Sequence, residues 1–337
     1  MIQIGVIGTG GMGGRHARNL AHKTPDAKVV AVMDIDQGRA AGVAAECGEA
    51  TVYSEAQALI ADPAVQAVII ASPDPFHAEL TLACLAAGKP ALCEKPLATN
   101  IADAEKVLQA ELAGGRRLVQ LGFMREYDQA HQALKELLDR GDIGQPLMFH
   151  GIHTGEGLPE PRTVEDVIIN SAVHDIHSAR WLLNQEVAQV YTQWVRAEKT
   201  RPETCRLLLV QMVFKDGALG VIEMNADSHF GYQVDVELTG SQGAARTAPA
   251  SAPTVKQSRK QFQTIDPDWL VRFDTAYIRE AKVWVQSLIE GQPTGPTVWD
   301  GYMAMVVADA CIQSAKTGQP QAVPDWERPA MYARRLI

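Results

Sequence analysis

Residues 2–13 read Ile2-Gln3-Ile4-Gly5-Val6-Ile7-Gly8-Thr9-Gly10-Gly11-Met12-Gly13, and this stretch decides the architecture of the first third of the chain. The apolar run predicts a buried strand, and Gly8, Gly10 and Gly13 keep the spacing GxGxxG behind it. Gly8 allows the tight turn, Gly10 lets backbone approach a pyrophosphate, and Gly13 permits close packing of a helix on the sheet. The free N–H groups and positive dipole end of that helix face the phosphates. Thr9, Gly10, Gly11 and Met12 fill the same loop and are expected to line the coenzyme with the three spaced glycines.

A second apolar strand, Val29-Val30-Ala31-Val32-Met33, ends in Asp34, about 20 residues beyond Gly13, where such folds place the acid that receives the adenosine ribose. A carboxylate accepts hydrogen bonds from ribose hydroxyls and repels a 2′-phosphate, which favours NAD over NADP. Arg39 follows closely and can pair with a phosphate if the loop bends. The alternative for Asp34 is a turn residue in Asp34-Ile35-Asp36.

Strand and helix patterns then alternate to residue 122. Strand Ala67–Ala71 ends at Ser72-Pro73, strand Ala91–Cys93 at Glu94-Lys95-Pro96, and a helix near Ser54–Ala61 has Ser54 as its expected cap. Continuous apolar strands alternating with helices predict a doubly wound parallel sheet of the Rossmann type, with ligands outside the carboxyl ends of its strands. Gly8, Asp34, Ser72, Glu94 and Lys95 all fall at those ends, and His77 is expected beside them on the nicotinamide side.

The pattern changes near residue 124. A helix (129–140), a strand (147–153), a Gly/Pro-rich loop (154–163) and a helix (171–183) precede three strands at 206–214, 218–225 and 233–239. Lys215-Asp216-Gly217 marks a hairpin. Consecutive strands predict a largely antiparallel α+β open sheet. The expected division is therefore 1–123 for coenzyme binding and 124–337 for substrate binding and oligomerisation. Residues 244–258 read as a loop, and helices are expected at 269–290 and 299–317. Trp269, Phe273, Tyr277 and Trp284 repeat at helical spacing, as core or subunit packing does. In the strand 206–214, Val210, Met212 and Phe214 point one way and Leu209, Gln211 and Val213 the other. A sheet apolar on both faces asks for a second subunit.

Composition narrows the function classes. The chain has 337 residues, 46% hydrophobic content and a formal charge of −9 with no basic run, which argues against nucleic acid and anionic membrane surfaces as partners. Cys47, Cys84, Cys93, Cys205 and Cys311 lack CxxC spacing and fit reduced thiols. No apolar run nears the roughly 18 residues of a membrane span. Met1 leads straight into the first strand, so the expectation is a cytoplasmic protein without a signal peptide.

Lys95 is the strongest catalytic candidate on chemistry alone. It sits at a strand end beside the expected crevice, where an ammonium can donate to a substrate hydroxyl, and Pro96 makes a cis Lys95–Pro96 bond accessible. A solvated lysine at a strand–loop junction is the plainer alternative. Helical spacing places Asn170, His174 and His177 on one face, with Val173, Ile176 and Leu183 on an adjacent apolar stripe. An imidazole such as His174 can take a hydroxyl proton as hydride leaves carbon. A zinc site at His174 and His177 with Glu165 or Asp166 would need ligand spacing that the rest of the chain lacks, so no metal is expected.

Taken together, GTGGMGGRH, ASPDPFHAE, CEKPLA, GFMREYD, SAVHDIHSARWLL, GYQVDVELTGSQGAA and WDGYMAMVVADACIQSAKTGQP resemble the glucose-fructose oxidoreductase, inositol dehydrogenase and rhizopine-catabolism family (Gfo/Idh/MocA) along essentially the whole chain. The resemblance implies a Rossmann domain followed by an open-sheet α/β domain, often a tetramer, and NAD(P)-linked oxidation of a sugar or cyclitol hydroxyl. The pattern is most similar to inositol 2-dehydrogenases. It implies Lys95 as the catalytic lysine, His174 as the catalytic histidine, and Arg125, His153 and Tyr232 as contacts to substrate hydroxyls. The acid usual four residues before the histidine is Asn170 here, which can orient a ring by hydrogen bonds but carries no charge. The expected reaction is NAD-dependent oxidation of a cyclitol, with myo-inositol at C2 first. The rivals are a pyranose dehydrogenase of the same family and a non-catalytic sensor of sugar or redox state. The expected partners are a small polyol or sugar and further copies of the chain, as a dimer or tetramer.

Overall fold

The computed structural model describes residues 1–155, 160, 162–247 and 254–333, and these form two compact units. The first opens with β1 (Ile2–Ile7), α1 (Gly11–Lys23), β2 (Ala27–Met33), α2 (Gln37–Glu46), β3 (Thr51–Tyr53), α3 (Ala56–Ala61), β4 (Ala67–Ile70), α4 (His77–Ala86), β5 (Ala91–Cys93), α5 (Ile101–Ala113) and β6 (Val119–Leu121). Every strand pair in this sheet is parallel, and the order is β3-β2-β1-β4-β5-β6. That is the doubly wound order whose reversal, between β1 and β4, opens the ligand crevice. Ile4, Val6, Val68 and Ile69 are fully buried, as strands covered by helices on both faces require. Helix α3 starts later than the Ser54 reading, with Glu55 at its cap and no side-chain cap bond.

The second unit contains α6 (Gln129–Asp139), β7 (Pro146–Thr154), α7 (Val164–Val167), α8 (Val173–Leu183), β8 (Val187–Arg196), β9 (Cys205–Phe214), β10 (Leu219–Asn225), β11 (Gln233–Gly240), β12 (Ala244–Arg246), β13 (Val255–Gln257), β14 (Lys260–Phe262) and α9 (Trp269–Arg272). In chain order there follow α10 (Asp274–Glu290), α11 (Val298–Thr317) and the short strand β15 (Gln321–Ala322), the last belonging again to the second unit. The larger sheet runs β12-β11-β7-β10-β9-β8-β15. The hairpin at Asp216-Gly217 forms as expected, with Gly217 at φ +91° and Phe214 N–H donating to the Ala218 carbonyl. Several features escaped the sequence reading. Strand β8 was not anticipated, and β7 pairs parallel with β10 inside an otherwise antiparallel sheet. Parts of the expected loop 244–258 are strands β12 and β13, the latter paired with β14, while residues 248–253 lie outside the described residues.

The compact units divide the chain differently from a cut at 123/124. The first unit also takes residues 275–305 and a C-terminal stretch from Glu327, and α11 is shared at Met305/Val306. The cause is the apolar stripe of α10. Ala281, Trp284 and Val285 are buried in the same core as Ile4, Val32 and Ile69. The aromatic run expected over one helix is broken at Phe273, between α9 and α10. Among the described residues no helix is long and apolar enough to cross a membrane.

Candidate functional site

In the first unit the glycine loop has the shape its spacing demands. Gly8 adopts φ +85°, and a Cβ there would lie 2.4 Å from the Ala71 carbonyl oxygen of the neighbouring strand end. A Cβ on Gly13 would sit 1.7 Å from the Gly8 carbonyl oxygen, so only glycine lets α1 approach β1 this closely. Gly10 and Gly11 have nothing within 4 Å of a Cβ position, and α1 begins without any side-chain cap. Open backbone at an uncapped helix start is a cradle for a pyrophosphate.

Asp34 follows β2 and is 5% exposed. Its Oδ2 accepts from Thr9 N–H at 2.7 Å and Thr9 Oγ1 at 3.0 Å, and its Oδ1 from Asp36 N–H at 2.9 Å. Arg39 completes the set from α2, with Nη2 2.7 Å from Oδ1 and Nε 3.2 Å from Oδ2. Burial opposes ionisation, but the Arg39 guanidinium and the donors of Thr9 and Asp36 hold the carboxyl well below the usual carboxylate range. The turn reading also has a place in this loop, since Asp36 caps α2 by accepting from Arg39 N–H.

The strand-end segments after β4 and β5 are tied together by His77. Its Nδ1 lies 2.7 Å from the Pro96 carbonyl and its Nε2 2.9 Å from the Ser72 carbonyl. Carbonyls only accept, so both ring nitrogens must donate, which requires the imidazolium. Burial works against that charge, yet Cys93 and the two carbonyls push the pKa up to about 10. His77 was expected to line the coenzyme crevice. Instead it is 1% exposed with both nitrogens engaged, and it braces the segments that carry Ser72 and Lys95.

Glu94 accepts from His16 Nε2 at 2.7 Å, linking α1 to the end of β5. Burial raises its pKa, but the His16 bond and charge outweigh it and hold the carboxylate ionised. Tyr277 of α10 stands edge-on to His16 at 6.0 Å, and the Arg15 guanidinium lies 5.4 Å over the Tyr277 ring. Lys95 is half-buried beside Glu94, with its N–H donating to Glu94 Oε2, and the Lys95–Pro96 peptide is cis. Arg125, 1% exposed, also belongs to this unit.

In the second unit the expected helix 171–183 begins earlier. Thr163 and Asp166 form a capping box at the start of α7, and residues Ile168–Ala172 make one π turn before α8. The wider turn changes the phase assumed for Asn170, His174 and His177. Asn170 is exposed, whereas His174 is 8% and His177 1% exposed. Single π turns occur often at functional sites, and no periodicity in the sequence announces them. Val173, Ile176 and Leu183 are buried as expected.

His153 and Tyr232 are brought together, their rings 5.3 Å apart at 79°. His153 Nδ1 is 2.7 Å from Asp175 Oδ2, and both side chains are buried. A carboxylate only accepts, so His153 carries its proton on Nδ1. Asp175 was missed in the sequence because the residue it orients lies on another element. The zinc candidates are engaged elsewhere: Glu165 pairs with Lys316 at 2.6 Å, and Asp166 serves the capping box. Asp300 likewise caps α11 with Thr297.

Two family models match the chain. One, an oxidoreductase family with an NAD-binding Rossmann fold, covers residues 2–123, and the other, the C-terminal alpha/beta domain of that family, covers 135–323. An inositol 2-dehydrogenase of Rubrobacter xylanophilus is 46% identical over 99% of this chain and 96% of its own length. Inositol 2-dehydrogenase 2 of Saccharopolyspora erythraea is 40% identical over 98% of each. A crystal structure of myo-inositol dehydrogenase from Lactobacillus casei in complex with NAD(H) and myo-inositol superposes with a TM-score of 0.94 at 30% identity, covering 99% of this chain and 100% of that one. With two family models spanning most of its length and a glycine cradle shaped for a dinucleotide, the chain belongs to the Gfo/Idh/MocA oxidoreductase family.

Proposed function

We infer that this chain is an NAD-dependent inositol 2-dehydrogenase, converting a CH–OH of a cyclitol to a ketone, with myo-inositol as its first substrate. The observation that carries this reading is similarity over 99% of the chain to a curated inositol 2-dehydrogenase. The cradle of Gly8 to Gly13 and the buried carboxylate of Asp34 fit a dinucleotide. The chemistry NAD supplies when bound is acceptance of hydride from the carbinol carbon.

The residues of the chain take the remaining roles. Gly10, Gly11 and Met12 hold the pyrophosphate with backbone N–H groups, Thr9 and Asp34 receive the adenosine ribose, and Ser72 and Glu94 flank the nicotinamide end. Lys95 donates to the reacting hydroxyl and His174 takes its proton. Arg125, His153, Asn170 and Tyr232 bind the other hydroxyls. Contacts from the buried Arg125, His153 and Tyr232 reject a substrate that leaves their donors or acceptors unpaired.

The outer face of the second unit's sheet supports self-association. Val213 pairs with Leu219 and Gln211 with Val221 across β9 and β10, and Val213 and Leu219 are 38% and 51% exposed. Five buried free cysteines suit a reducing, cytoplasmic compartment.

The test is formation of reduced nicotinamide, followed by absorbance, with a panel of inositols and aldoses. Turnover of myo-inositol above all others is expected. Preference for an aldose would move the assignment to a sugar dehydrogenase, and no turnover with intact NAD binding would favour a sensor. Lys95→Ala is expected to abolish turnover while NADH still binds, and light scattering is expected to give a mass above that of one chain.

A further inference from the structure

Arg162 lies just ahead of the capping box that starts α7, in a segment fastened to the beginning of β9. Its carbonyl accepts from Cys205 N–H at 2.9 Å, Val164 N–H donates to the Glu203 carbonyl at 3.1 Å, and Thr163 bridges to Thr204. From that fixed backbone the half-buried side chain crosses to the π turn, where Nη1 donates to Ser171 Oγ at 2.9 Å. Burial works against the guanidinium charge, while Asp166, Cys205 and Tyr232 act in its favour. Asp166 is already committed to the capping box. Holding a cation partly out of water is unfavourable, and the charge-assisted bond to Ser171 offsets part of that.

The turn it grips sets the geometry of the catalytic helix. A π turn takes in one residue more than an α turn, and one residue is worth about 100° around a helix axis. The segment Ile168–Ala172 therefore decides the angle between exposed Asn170 and buried His174. Beyond it α8 is fixed, since all its residues are buried and Ser178 Oγ donates to the His174 carbonyl at 2.8 Å. The wide turn is the adjustable piece between two anchored ones. We propose that Arg162 is a positioning residue that clamps the π turn through Ser171 and so fixes where His174 and Asn170 stand towards the substrate.

This rests on the proposed role of His174 as proton acceptor, and the test separates the two. Oxidation of myo-inositol is measured for wild type, Arg162→Met, Arg162→Lys, Ser171→Ala, the double variant of Arg162→Met with Ser171→Ala, and His174→Gln. Arg162→Met and Ser171→Ala are each expected to lower kcat roughly 10-fold, the low end for a bond to a charged group, with KM for NAD unmoved. Arg162→Lys keeps a charged donor and is expected to recover much of the loss. The double variant is expected to fall no further than Arg162→Met, because both changes remove one contact. Losses that multiply in the double variant, or Ser171→Ala turning over as wild type does, overturn the clamp. Ser171→Ala deletes a single hydroxyl, so it decides the point even if Arg162→Met folds poorly. His174→Gln with undiminished turnover removes the proton-acceptor reading instead.

Discussion

His153 on β7 and Asp175 on α8 are joined by a 2.7 Å hydrogen bond between Nδ1 and Oδ2, with both side chains nearly excluded from water. The carboxylate fixes the imidazole tautomer, with the proton on Nδ1 and Nε2 left as an acceptor in character. Asp175→Asn removes the charge and can present an N–H where an acceptor stood. A fall of about 10–100-fold in kcat/KM for inositol is expected, as for loss of a buried charge-assisted bond, together with an altered pH profile. Steady-state kinetics across pH would check it. A profile identical to wild type would leave Asp175 a packing residue.

Two of the loop's four glycines, Gly13 and Gly11, should respond differently to a methyl group. Gly13→Ala drives a Cβ to 1.7 Å from the Gly8 backbone oxygen, where no flexible side chain can yield. A loss of about 1–3 kcal/mol or more is expected. Gly11→Ala meets nothing within 4 Å and is expected to stay within about 0.5 kcal/mol. Denaturant melts of both variants decide it, and equal stabilities would mean that α1 does not need the close approach.

His77 makes stability depend on alkaline pH. Its folded pKa, near 10, lies above the ordinary histidine value of 6.5, so its contribution is complete below about pH 6.5. As pH rises toward 10 the unfolded chain has already lost that proton and the folded chain holds it, so stability declines through this window. Melting temperatures from pH 6 to pH 10 are expected to fall more steeply for wild type than for His77→Gln. Parallel curves would show that His77 holds its carbonyls without the charge.

Glu280 of α10 is fully buried, and neither carboxyl oxygen has a hydrogen-bond partner. Burial pushes its pKa up, and the carboxylates of Glu94 and Glu126 push it further. The folded state therefore keeps a proton that the unfolded chain releases above about pH 4.5, which costs stability progressively as pH rises. Glu280→Gln matches the neutral acid in shape and removes that slope. The variant is expected to gain on wild type by about 1 kcal/mol or more between pH 5 and pH 7, a value set by the 1.4 kcal/mol per pH unit of one proton. Urea melts at the two pH values test this. A variant that loses stability at pH 7 would mean an ionised Glu280.

What the sequence determined by itself is everything with a local cause. The apolar period and turn residues of 2–13, the spacing to Asp34, the alternation up to residue 122 and the Asp216-Gly217 hairpin follow from backbone sterics and side-chain periodicity within a few residues. Lys95 became a candidate from its place at a strand end and His174 through the family resemblance of its segment, while the apolar stripe of Val173 and Ile176 is legible from periodicity. Tertiary structure alone decided that α10 belongs to the first unit's core, that β7 runs parallel to β10, and that a π turn lies at Asn170. It also chose the partners of His77, His153 and Asp34. Those outcomes depend on which distant surfaces bury one another and which unpaired donors meet which acceptors. Such choices are made between residues far apart in the chain, where periodicity carries no information.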